Sequence, residues 1–113
     1  MFERIDTICL TVSNVEQSSS WYQELGFKIA FWGEGYRVLT VGNSEVPLTI
    51  EEGSMSSKEN QAYPILYTKD IENNHNKLQG KGIEVTEIKD DGDNKFFDFY
   101  DLDNNKLQVC LWE

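Results

Sequence analysis

Apolar and polar positions follow an order along the chain that occurs twice. Ile5 to Val12 is apolar and rich in β-branched residues, which suits a strand. Ser13 and Asn14 then offer helix caps, with Glu16 three residues after Ser13 in capping-box spacing. A helix is predicted from there through about Leu25, with Val15, Trp21, Tyr22 and Leu25 as its buried positions and Gly26 as a left-handed stop. Three short strands follow, Phe27–Trp32, Tyr36–Val41 and Val46–Glu51, separated by turns at Gly33-Glu34-Gly35 and Gly42-Asn43-Ser44.

The second half repeats this plan without a gap. Residues 10–29 laid over 66–85 match Leu10 with Leu66, Glu16 with Glu72, Gln23 with Gln79 and Gly26 with Gly82. Asn14 meets Asp70, Val15 meets Ile71, Phe27 meets Ile83 and Ile29 meets Val85. The matches fall at caps, core positions and a turn glycine, where a repeated fold constrains its residues. Asp70 is the predicted cap of the second helix. Ile71, Asn74 or His75, and Leu78 are its sheet-facing positions, and strands follow at Ile83–Ile88, Lys95–Tyr100 and Lys106–Trp112. The pattern predicts an α+β chain, residues 1–113, made of two βαβββ modules, 1–53 and 61–113, joined by a polar linker at 54–60.

Composition narrows the function classes. The 113 residues carry 39% hydrophobic side chains and 6 Phe, 5 Tyr and 3 Trp, enough to fill a core, so disorder is not expected. No apolar run approaches the roughly 20 residues of a membrane span, and the opening residues lack the basic-then-apolar pattern of a signal peptide. A soluble, cytoplasmic protein is the expectation. The net charge of −10 and the presence of only two arginines, Arg4 and Arg37, argue against nucleic acid and membrane partners. Cys9 and Cys110 match no metal-finger or redox spacing, and no base is visibly placed to activate either thiol.

Ile5–Val12, Trp21-Tyr22, Leu25-Gly26-Phe27, Asp70-Ile71-Glu72, Lys81-Gly82-Ile83 and Phe99–Val109 together resemble the vicinal oxygen chelate superfamily. That group includes glyoxalase I, bleomycin-resistance proteins and extradiol dioxygenases. The resemblance implies a glyoxalase/bleomycin-resistance-like fold in which two modules form a curled mixed-sheet cup, commonly in a homodimer, the cavity lying within one chain or across two. It also implies a divalent metal held by four strand residues, usually His, Glu or Gln.

Carried onto this chain, those four positions are Thr7, Thr49, Tyr63 and Gln108. Hydroxyls and an amide compensate poorly for dehydrating a divalent cation, so no metal and no cofactor is expected. His75, the sole histidine, sits among polar residues and reads as a surface residue, which removes histidine-based nucleophilic triads. Asp101, Asp103 and Asn105 imitate the start of a calcium loop, but Lys106 and Trp112 stand where that loop needs Gly and Glu.

Strand alternation puts Cys9 and Thr11 in phase with Thr7, Glu51 with Thr49, Ile65 and Tyr67 with Tyr63, and Cys110 and Trp112 with Gln108. Such a lining suits a flat, partly aromatic, cationic small molecule whose amine pairs with Glu51. Thr7, Thr49, Glu51 and Gln108 would give polar contacts, Tyr63, Tyr67 and Trp112 would stack, and Trp32 or Tyr36 would close over the ligand. The leading expectation is a homodimer that sequesters a drug or metabolite with no reaction. The alternatives are a lyase or dioxygenase whose atypical metal site uses Glu51, Gln108 and Cys9 or Cys110, and an acidic scaffold protein.

Overall fold

A computed structural model describes residues 1–54 and 62–112. Apart from Ser54, the predicted linker lies outside the described residues. The chain divides into two compact units, Met1–Ser57 and Lys58–Glu113, each an α+β module with one helix and one four-stranded mixed sheet.

In the first unit the order is β1 (Ile8–Val12), α1 (Val15–Glu24), β2 (Lys28–Gly33), β3 (Tyr36–Thr40) and β4 (Leu48–Glu52). The strands lie in the order β1-β4-β3-β2. The first strand pairs in parallel with the last, and the other pairs are antiparallel. Asn14 caps α1, its side chain accepting from the Gln17 backbone N–H at 2.9 Å. Gly26 ends the helix at φ +100°, where a side chain would be strained.

The buried face of α1 differs from the predicted one. Val15 and Tyr22 are buried as expected, but Trp21 and Leu25 are only half-buried, and Ser18 and Ser19 take the deep positions. Two small side chains let the helix lie close to its sheet, leaving Trp21 to pack edge-on against Tyr22 at 4.9 Å. Leu10, Val12, Leu39, Leu48 and Ile50 complete this core, each such side chain contributing roughly 1.5–3 kcal/mol on burial.

The second unit runs β5 (Ile65–Tyr67), α2 (Ile71–Gly80), β6 (Lys89–Asp90), β7 (Asn94–Tyr100) and β8 (Lys106–Trp112). Its strand order is β5-β8-β7-β6, again with the first and last strands parallel. Ile71, Leu78, Phe97, Phe99, Leu107 and Val109 form its core. Asp70 occupies the N-cap position without a side-chain cap bond. Thr68 serves instead, its hydroxyl accepting from the Asp70 N–H at 3.2 Å and the Asn74 amide at 2.6 Å.

The strand predicted at Ile83–Ile88 is reduced to one bridge, Val85 to Phe99, and the ladder resumes only at Lys89–Asp90. One backbone bond survives there, from the Thr86 N–H to the Asp98 carbonyl at 2.9 Å, and side chains supply the others. The Thr86 hydroxyl accepts the Asp98 N–H at 2.9 Å, and the His75 ring nitrogen Nε2 donates to the Thr86 carbonyl at 2.8 Å. His75 is therefore half-buried, its ring edge-on to Phe97 at 4.9 Å, and not the surface residue expected. Among the described residues no helix is long and apolar enough to cross a membrane.

Candidate functional site

Each sheet has one face under its helix and one face turned away from it. Thr7, Thr49 and Glu51 belong to the first unit; Tyr63, Tyr67, Gln108 and Trp112 belong to the second.

Pairing of β1 with β4 sets Cys9 beside Thr49 and Thr11 beside Glu51. The Thr7 hydroxyl donates to the Pro47 carbonyl at 2.9 Å, which uses its one proton. Thr49 must then be the donor in the 2.7 Å bond between the two hydroxyls. Farther along the same face, the Cys9 thiol donates to Glu51 Oε2 at 3.5 Å. Burial pushes the Cys9 thiol pKa up first, and the hydrogen bond and charge of Glu51 push it further. Cys9 is thus a protonated thiol and a weak nucleophile at neutral pH.

The two aromatics expected to cover the ligand diverge. A register shift between Ile29 and Phe31 changes the phase of β2. Phe31 and Tyr36 then share the helix-free face, stacked at 6.0 Å, and a Cβ at Gly33 would collide with the Tyr36 ring. Trp32 pairs instead with Arg37, on the helix side. Arg37 is 7% exposed and lies 4.4 Å from the Trp32 ring centre. Its Nη1 donates to the carbonyls of Gly33 and Tyr36, each at 2.8 Å, so it locks the β2–β3 turn.

In the second unit Ile65 lies beside Gln108 and Tyr67 beside Cys110. The Tyr67 and Trp112 rings meet at 5.3 Å, and with Ile65 they leave a patch of exposed apolar side chains, 48%, 57% and 56% accessible. Burial alone raises the Cys110 thiol pKa.

Gln108 makes a contact that sequence reasoning missed. Its Nε2 donates to Asp98 Oδ1 at 3.1 Å, because a carboxylate can only accept. The other Asp98 oxygen lies 3.7 Å from the Lys106 ammonium, which also sits 4.0 Å from the centre of the Tyr63 ring. A signal was present: Asp98 is a lone acid within Phe96-Phe97-Asp98-Phe99-Tyr100, and Lys106 is two positions from Gln108, hence on its face.

The four positions that the vicinal oxygen chelate resemblance assigns to a metal thus hold two mutually bonded hydroxyls, a phenol under an ammonium, and an amide committed to a carboxylate. This donor set does not fit a divalent cation. Within either unit, among the described residues, no three of His, Cys, Asp and Glu gather closely enough to hold a metal ion.

The family model described as Glyoxalase/Bleomycin resistance protein/Dioxygenase superfamily matches residues 4–109. No curated protein matches the chain. Among solved structures, a glyoxalase family protein from Enterococcus faecalis superposes with a TM-score of 0.79 at 22% identity, over 96% of this chain and 98% of the other. TnmS3, an antibiotic binding protein from Streptomyces sp. CB03234, gives 0.81 at 18% identity over 99% and 98%. The fosfomycin resistance protein FosX from Listeria monocytogenes, complexed with Mn(II) and sulfate, gives 0.84 at 14% identity over 100% and 93%. Likeness at these identities is likeness of fold.

Proposed function

Because this chain belongs to the Glyoxalase/Bleomycin resistance protein/Dioxygenase superfamily, we propose that it binds a small, partly aromatic molecule without a metal ion and without making or breaking a bond. The observation that carries this reading is the exposed Ile65, Tyr67 and Trp112 patch in strand phase with Gln108. Exposed rings held on a rigid sheet offer stacking area at little ordering cost. Within the same unit, the side-chain carbonyl oxygen of Gln108 supplies a neutral polar contact, since its Nε2 is given to Asp98. TnmS3, which shares the fold, is an antibiotic binding protein.

Titrating tryptophan fluorescence with flat aromatic antibiotics and metabolites is the test. A saturable change in the wild type, lost in Trp112→Phe while Trp21 and Trp32 still report a folded chain, is the expected result. No saturable change across the panel would overturn the reading.

A second reading rests on the 3.5 Å approach of Cys9 to Glu51, a thiol and a carboxylate able to share a soft or borderline cation. It makes the protein a metal-dependent lyase or dioxygenase with an atypical site. Stoichiometric Zn, Ni, Mn or Fe in the purified protein, reduced by Glu51→Gln, would favour it over metal-free binding.

A further inference from the structure

The helix-free face of the second unit sets cations beside its exposed rings. The register places Lys89 with Phe96, Phe96 with Cys110, Asp98 with Gln108, and Tyr100 with Lys106, so all lie on one face. Two cations, Lys89 and Lys106, stand on its strands against one carboxylate, Asp98. Glu84, next to the Val85–Phe99 bridge, adds a second carboxylate at the edge of this face, which is therefore close to balanced in a protein of net charge −10.

Lys106 is held but not used up. Its ammonium is 3.7 Å from Asp98 Oδ2, beyond the length of about 2.8 Å for a charge-assisted hydrogen bond. Its side chain remains 34% accessible. The Tyr63 ring, 4.0 Å away, fixes the ammonium by its π face and takes none of its hydrogen-bond capacity of three donors. Asp98 cannot turn away to a better partner, since Gln108 holds its other oxygen at 3.1 Å. The result is a positioned cation with unspent donors, on the same face as the exposed Tyr67 and Trp112 rings.

We propose that Lys106 anchors an oxyanion of the ligand, so that the molecule bound is an aromatic carboxylate rather than a neutral or purely cationic ring. This rests on the small-molecule binding reading above and names the ligand's chemical class. The carboxylate would take hydrogen bonds from Lys106 while its ring extends along the strand over Gln108 and Cys110, toward Tyr67. Asp98 then acts as an internal competitor for the ammonium, which sets the affinity and keeps the unliganded face from carrying a bare cation.

The test is calorimetric titration of the full chain with 2-naphthoate, indole-3-carboxylate and salicylate, each beside its neutral carboxamide. The wild type should prefer at least one carboxylate over its amide by about ten-fold. Lys106→Met should abolish that preference, with an unchanged circular dichroism spectrum and urea midpoint showing that the variant is folded. Lys106→Arg should keep it. Asp98→Asn should raise carboxylate affinity several-fold, a gain that loss of structural support would not produce. Equal binding of acid and amide by the wild type, or a preference that survives Lys106→Met, overturns the role of Lys106 and leaves the binding reading standing. Binding of neither class by any protein in the series removes both.

Discussion

The two units share a topology and differ in what their helix-free faces do with polar groups. In the first, hydroxyls and a thiol satisfy one another: Thr49 donates to Thr7, Thr7 to Pro47, and Cys9 to Glu51. In the second, a carboxylate lies between an amide and an ammonium, and the ammonium keeps donors open. A duplicated backbone thus carries one face that is nearly closed chemically and one that is poised for an external acceptor. The units also secure their turns differently. The second builds its β7–β8 turn on the buried Asp101, whose carboxylate accepts from the Asp103 and Asn105 N–H groups and the Asn105 amide at 2.8–2.9 Å. The first secures its β3–β4 turn with an exposed Ser44 hydroxyl donating to the Val46 carbonyl at 2.8 Å.

The largest effect should come from breaking that turn contrast. Asp101→Ala leaves buried N–H groups without their charged acceptor and should cost about 3 kcal/mol, whereas Ser44→Ala should cost no more than about 1 kcal/mol. Urea denaturation of both variants measures the difference, and equal losses would mean that the two turns are alike energetically. Next in size is Arg37→Met in the first unit. It keeps an unbranched apolar stem but removes the guanidinium that lies over the Trp32 ring and frees the Gly33 and Tyr36 carbonyls, with an expected loss of about 2 kcal/mol by the same measurement.

The smallest effect is kinetic and concerns the closed face. A raised thiol pKa lowers the thiolate fraction, so Cys9 should react with iodoacetamide more slowly than a free cysteine at pH 7–8. Glu51→Gln should speed that reaction a few-fold, read by peptide mass spectrometry. The sign for stability is the opposite of a carboxylate's. The folded state holds the thiol proton more tightly, so stability is fully present below the unfolded thiol pKa and is lost as pH rises through the folded one.

Much of this fold was legible in the chain because repeated caps, core spacing and turn glycines all pointed one way. Gly26 and Gly82 stop their helices at φ +100° and +78°, and Asn104 takes φ 63°, as their residue types allow. What stayed hidden depends on contacts distant in sequence. The phase of Trp32 is set by an irregularity in β2 that no alternation rule contains. Where the Ile83–Ile88 strand was expected, His75 reaches the Thr86 carbonyl, and a helix pattern gives no hint of such a bond. At the candidate site, strand phase grouped Thr7 with Thr49 within one unit and Tyr67 with Trp112 within the other. Asp98 and Lys106 occupy none of the positions a metal would need, and their meeting depends on the β7–β8 register, which brings Asp98 beside Gln108 and Tyr100 beside Lys106.

In each unit the strand synthesised first pairs with the strand synthesised last, Ile8 with Leu48 and Ile65 with Gln108. Neighbouring antiparallel strands close short loops, while the parallel edge must close a loop of about 40 residues. The leading edge of each sheet is therefore the last piece to dock. On an emerging chain the first unit holds all the pairings of its sheet by Glu52, so its folding can be finished while the second is still being translated.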